Sequence, residues 1–129
     1  MRELALVAVG SAVGGVLRYG VGVAIAARWA SPFPAATLLV NVTGSFLLGM
    51  LATLLMGRAD EAELRLLLLV GLCGGYTTFS SFSLETVRLV QRGEAGIAAV
   101  YVLASVVLSI LGLAAGVLAM RALGATGGP

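Results

Sequence analysis

An asparagine, two phenylalanines and a row of hydroxyls are the side chains best suited to handling a small polar solute, and all of them lie within apolar stretches. The densest group is Gly71-Leu-Cys-Gly-Gly-Tyr-Thr-Thr-Phe-Ser-Ser-Phe-Ser83, in which Gly71, Gly74 and Gly75 precede hydroxyls at Thr77, Thr78, Ser80, Ser81 and Ser83. Phe79 and Phe82 fall three apart and so share one helical face. Upstream, Asn41 shares a face with Thr37, Gly44, Ser45 and Leu48, and its amide offers two donors without bringing a charge. Asparagine in a membrane helix often only bonds a neighbouring helix; the small and hydroxyl residues on this face favour a narrow wet path beside it. Downstream, Tyr101, Ser105 and Ser109 advance by four and stack into a ladder of donors, although each serine alone commonly bonds back to its own helix.

Two charged groups are placed where charge is costly. Arg18 lies within the first apolar stretch, where a guanidinium persists by snorkelling, by pairing, or by lining an aqueous vestibule that attracts anions. Glu85 and Arg88 are three apart near the end of the third stretch, a spacing that predicts an ion pair or a cap. The alternative for Glu85 is a gate or proton acceptor at a pore mouth. Histidine is absent and Cys73 is the sole cysteine, so disulfides, zinc sites and Ser-His or Cys-His nucleophiles cannot be built. The residues point to conduction or packing and not to an enzyme.

The elements that must position these groups follow from composition. Of 129 residues, 60% are hydrophobic and 11% charged, and the mean hydropathy of +1.08 is that of an integral membrane protein. Four apolar stretches, about 4–27, 33–56, 66–89 and 97–120, each suffice for a bilayer core that needs about 20 residues. The reading is an all-α membrane protein with one four-helix domain over residues 1–123 and a disordered tail over 124–129. The first stretch is too long for a signal-peptide core and contains Arg18, so it reads as a span. The joints are too short for an extramembrane catalytic domain. Gly10 and Gly14, like Ser11 and Gly15, are four apart and give the first span a smooth face for close helix approach.

All eight basic residues are arginines. With four spans, one side of the membrane holds Arg2, Arg58, Arg65 and Arg121 and the other Arg28, Arg88 and Arg92, a near tie that predicts insertion in either orientation. A dual-topology chain can pair with its own inverted copy about an axis in the membrane plane. Within the third span the glycines predict an opening near Gly74 to Tyr76, with the helix restarting around Thr77 or Thr78, whose hydroxyls can cap the second half. Opened backbone at that depth needs protein, an ion or a wet cavity beside it.

Three stretches in register, Gly14-Gly15-Val-Leu-Arg18-Tyr19, Asn41-Val-Thr-Gly44-Ser-Phe-Leu-Leu-Gly49 and Gly74-Gly-Tyr-Thr77-Thr-Phe79-Ser-Ser-Phe82-Ser-Leu-Glu85, resemble the signatures of the Fluc (CrcB) fluoride channels. The resemblance implies an antiparallel homodimer in the plasma membrane with two pores, a passive and selective export route that protects microbes from fluoride. It implies that Asn41 donates to the ion and that the edges of Phe79 and Phe82 line its path. Aromatic edges carry the positive part of the ring quadrupole and hold a small anion without trapping it. Tyr101, Ser105 and Ser109 match the fourth-helix positions near the pore, with Thr37 and Glu85 on the adjoining polar track. Gly74 and Thr77 match residues whose backbone carbonyls, from both subunits, hold a central structural sodium ion. The nearest rival is a small multidrug-resistance exporter, which needs a carboxylate midway along its first helix; here that helix carries Arg18. A non-conducting structural subunit would leave the polar faces without purpose, and an intramembrane protease lacks a histidine to activate its serine.

Overall fold

The computed structural model of the protein describes residues 1–124, so the expected tail falls outside the described residues except for Gly124. The regular elements among those residues are all helices, without a strand, and four spans are long and apolar enough to cross a membrane. The first, α1, runs Arg2–Ala26, and the second, α2, runs Ala35–Leu55. The third span, Glu61–Gln91, divides into α3 (residues 61–76) and α4 (Phe79–Gln91), and the last, α5, runs Ala95–Ala122.

Local sequence explains the ends. Between α1 and α2 the Phe33 N–H donates to Ser31 Oγ at 3.2 Å and Pro34 leads into the helix. Gly57 and Gly93 take φ of +75° and +79° just past the ends of α2 and α4, a left-handed conformation that glycine adopts without a Cβ penalty. The third span starts earlier than its apolar pattern, at Glu61, because Glu61 and Glu63 sit in its first turn, where the helix dipole favours acids. Arg65–Cys73 is then wound as a nine-residue π-helix, a feature that hydrophobic periodicity does not reveal.

Two seams made of glycine hold the helices together. On α1, a Cβ added to Gly10 would lie 2.8 Å from Leu72 N, and one on Gly14 would lie 2.7 Å from Tyr76 N. Across from them, a Cβ on Gly75 would lie 2.6 Å from Ser11 O. Gly10, Ser11 and Gly14 are therefore a packing surface, since only glycine lets these backbones come so near, whereas Gly15, expected on the same smooth face, has nothing within 4 Å of an added Cβ. The second seam joins α2 to α5: a Cβ on Gly116 would lie 3.0 Å from Met50 N, and one on Gly49 would lie 3.2 Å from Val117 N. The space between the seams, bounded by α2, α3, α4 and α5, is where the polar side chains collect.

Candidate functional site

The third span opens at Thr77 and Thr78, two and three residues past Gly75. Thr77 has φ −78° and ψ 158°, and Thr78 has φ −151° and ψ 115°, both extended, whereas Gly74 to Tyr76 remain helical. The expectation that the glycines themselves unwind is corrected. Gly71 and Gly75 serve close approach to α1, and the residue that has left the helix, Thr78, is held by Asn41. Asn41 Oδ1 accepts the Thr78 N–H at 2.8 Å, and Asn41 Nδ2 donates to the Thr78 carbonyl at 3.0 Å. One amide thus satisfies both backbone groups of a residue that has left the helix, which apolar surroundings require.

Thr78 also caps the restart. Its Oγ1 accepts the Ser81 N–H at 3.1 Å and lies 3.1 Å from Ser81 Oγ and 3.2 Å from Ser80 Oγ. The other side of the break is closed by Thr77, whose N–H and Oγ1 both donate to the Cys73 carbonyl, at 2.9 and 3.0 Å. Because the Thr78 N–H goes to Asn41, the Gly74 carbonyl loses the donor that an unbroken helix would supply. Gly74 is also exposed.

A cavity of about 370 Å³ opens beside the break, lined among others by Asn41, Ser45, Phe79, Phe82, Ser105 and Ser109. No acidic or basic side chain lines it. Phe79 and Phe82 are 5.3 Å apart between ring centroids, Phe82 and Tyr101 another 5.3 Å, and Phe33 meets Tyr101 edge-on at 5.7 Å. The row runs from Phe79, which is 78% exposed, to Tyr101, which is fully buried. Ser105 Oγ is buried without a hydrogen-bond partner among the described residues, so a donor stands free at the cavity wall.

A second cavity of similar size lies across Thr78, which borders both, and is lined by Arg18, Thr37, Ser81 and Glu85. The ion pair expected between Glu85 and Arg88 is not formed: the ion pairs among the described residues are Arg2–Glu63, Arg58–Asp60 and Arg65–Glu61, all in or beside the polar joint or at the start of α1. Glu85 turns inward instead. Its carboxylate accepts from Thr37 Oγ1 at 2.8 Å and from Tyr101 Oη at 2.7 Å. Neutral donors at a fixed distance replace an exposed arginine. Arg18 is half-buried at the same cavity and makes no ion pair among the described residues.

The sequence-selected residues therefore fall into two neighbouring groups. Asn41, Phe79, Phe82, Ser105 and Ser109 line the first cavity together with Gly74 and Thr77, and Arg18, Thr37 and Glu85 line the second. Tyr101 lies between them, with its hydroxyl on Glu85 and its ring on Phe82, so it departs from the expected serine ladder. Residue-by-residue reading missed the double use of Asn41 on the Thr78 backbone. No local pattern marks it, because the two residues lie 37 apart in the chain.

This arrangement, four spans with one broken beside a neutral, aromatic-lined cavity, is that of a multi-pass membrane protein, in bacteria one of the plasma membrane. Residues 5–117 match the family described as "CrcB-like protein, Camphor Resistance (CrcB)", and the chain belongs to that family. It is 52% identical over 118 residues to the fluoride-specific ion channel FluC of Agrobacterium fabrum, covering 90% of this chain and 94% of that one. It is 48% identical to the FluC of Rhizobium johnstonii, covering 95% and 99%, and 50% identical to that of Nitrobacter winogradskyi, covering 89% and 92%.

Proposed function

We propose that the chain is a fluoride-selective channel that lets the ion leave the cell passively, and that it works as an antiparallel homodimer of a four-helix unit, residues 1–123. The observation that carries the reading is the first cavity: an amide, several hydroxyls and two aromatic rings line it among aliphatic side chains such as Leu48, Leu69, Val106 and Ile110, and no side chain of full charge does. A small anion exchanges its hydration shell for such donors without being held too tightly to leave. Asn41 has one amide hydrogen beyond the one given to Thr78, and Ser105 Oγ has a whole hydroxyl to offer. Phe79 and Phe82 supply ring edges between them. Ser109 continues the wall, and Thr37, Tyr101 and Glu85 form the adjoining polar track. Arg18 at the second cavity draws anions toward it.

Support for a second, inverted copy comes from the balance of arginines and from Phe79, whose ring one chain leaves mostly uncovered. The carbonyls of Gly74 and Thr77 would suit a sodium ion shared between copies: Thr77 belongs to opened backbone, and Gly74, still helical, is exposed and has had the helical donor of its carbonyl diverted. Such an ion supplies positive charge that ties the two breaks together, and it is not transported. A proton-coupled drug exporter is disfavoured because α1 holds no carboxylate beyond Glu3 in its first turn.

The test is anion flux from liposomes holding the purified chain. Fluoride leaves far faster than chloride, with no proton coupling. Comparable chloride flux, or proton exchange driven by a drug cation, defeats the reading. A reporter fused to the C-terminus appears on both sides of the membrane; a single orientation defeats the inverted pair.

A further inference from the structure

The tyrosine that ends α3 takes no part in the pathway just described, yet it is tied down twice. Its hydroxyl lies 3.1 Å from Thr43 Oγ1. Thr43 Oγ1 lies 2.7 Å from the Leu39 carbonyl, which can only accept. The order of donation is thereby fixed: Thr43 spends its hydrogen on Leu39, and Tyr76 donates to Thr43. The ring is seated as well, because a Cβ on Gly44 would lie 2.9 Å from Tyr76 Cδ1 and collide with Thr77 Cγ2. Two residues later Asn41 holds both backbone groups of Thr78. Successive parts of α2 thus grip Tyr76, Thr77 and Thr78, and the extended pair is strung between two hydrogen-bonded posts.

We propose that Tyr76 is a positioning residue for conduction: its hydroxyl latches the last helical residue before the break onto α2. With that post in place, Thr77 and Thr78 keep the extended backbone that sets the Gly74 and Thr77 carbonyls and starts α4 with Phe79 at the cavity. The bond is exposed on the single chain, but Thr43 lies midway along the span Ala35–Leu55, where lipid or protein and not bulk water faces it, so loss of this one oxygen is felt at the break. The proposal rests on the reading of Asn41 and Phe79 as parts of a fluoride path.

Four variants test it in the full chain: Tyr76→Phe, Thr43→Val, the two combined, and Thr43→Ser. Fluoride efflux from liposomes falls about fivefold in each of the first two, the effect of one hydrogen bond of ordinary strength. It falls no further in the combination, because both changes remove the same bond. Thr43→Ser keeps the hydroxyl and conducts at the parental rate. Parental flux in Tyr76→Phe, additive losses in the combination, or a Thr43→Ser variant as slow as Thr43→Val overturns the latch. A second readout is independent of fluoride. Cys73 is the sole cysteine and is buried one turn before Thr77, which bonds its carbonyl. Modification by methyl methanethiosulfonate, followed by intact mass, speeds up about fivefold in Tyr76→Phe. If the parent passes no fluoride, the functional reading fails, and the Cys73 rates still decide the latch: equal rates in parent and variant overturn it.

Discussion

The two halves of the broken span are held by opposite means. Before the break, α3 meets α1 backbone to backbone, with Gly71 and Gly75 against Gly10, Ser11 and Gly14, and the one ion pair between them among the described residues, Arg2–Glu63, lies at the exposed start of the span. After it, α4 is held by side chains: the Thr78 cap, the Glu85 carboxylate bonded by Thr37 and Tyr101, and the Phe79–Phe82–Tyr101 row. Contact between backbones leaves no atom free to move aside, so the first half works as an anchor. The second half is built from groups that have donors and ring edges to spare, and there the chemistry resides.

The contrast is broken most severely at Gly75. Gly75→Val forces a side chain into a space where even a Cβ meets Ser11 O at 2.6 Å, and should cost about 3 kcal/mol or more, seen as a lost unfolding transition in detergent. Gly15→Ala is the matched control: nothing lies within 4 Å of its Cβ, and stability should hold. Next comes Tyr101→Phe, which strips one of the two donors from the inward carboxylate of Glu85. The expected loss is about 2 kcal/mol in the same measurement, with Thr37→Val similar. Phe79→Ile or Phe82→Ile should slow fluoride efflux about tenfold, or about 1.4 kcal/mol, in a protein that still melts normally, because an aliphatic group has no positive edge. Unchanged flux would remove the aromatic row from the path.

The smallest effect belongs to the polar joint. The hydrogen bond from Arg58 holds the Asp60 carboxyl below its ordinary value, and both groups are exposed. Stability from this pair is present above the ordinary carboxylate range and is lost only as pH falls through the lowered value. Solvent screening makes it slight, so Arg58→Ala should leave the melting temperature unchanged at neutral pH.

Much of this was legible in the chain because the bilayer makes harsh demands of sequence. Four apolar runs near the needed length could only be spans, and a glycine and hydroxyl cluster inside one of them could only be a weak point. The identities of Asn41, Phe79 and Phe82 likewise stood out. What stayed hidden was pairwise. Periodicity cannot say that Asn41 spends its amide on Thr78, so glycine content points to an opening at Gly74 to Tyr76 and not at Thr77 and Thr78, two and three residues past Gly75. The spacing of Glu85 and Arg88 suited an ion pair, but it carried no information about Tyr101 arriving from a distant helix. The π-wound stretch Arg65–Cys73 leaves no mark on composition at all.

Thr78 borders both cavities, and that shared position constrains how the protein can change. Every other lining residue belongs to one chamber or the other, so each can be reshaped from its own side, and only at Thr78 does a shift of the wall give room to one by taking it from the other.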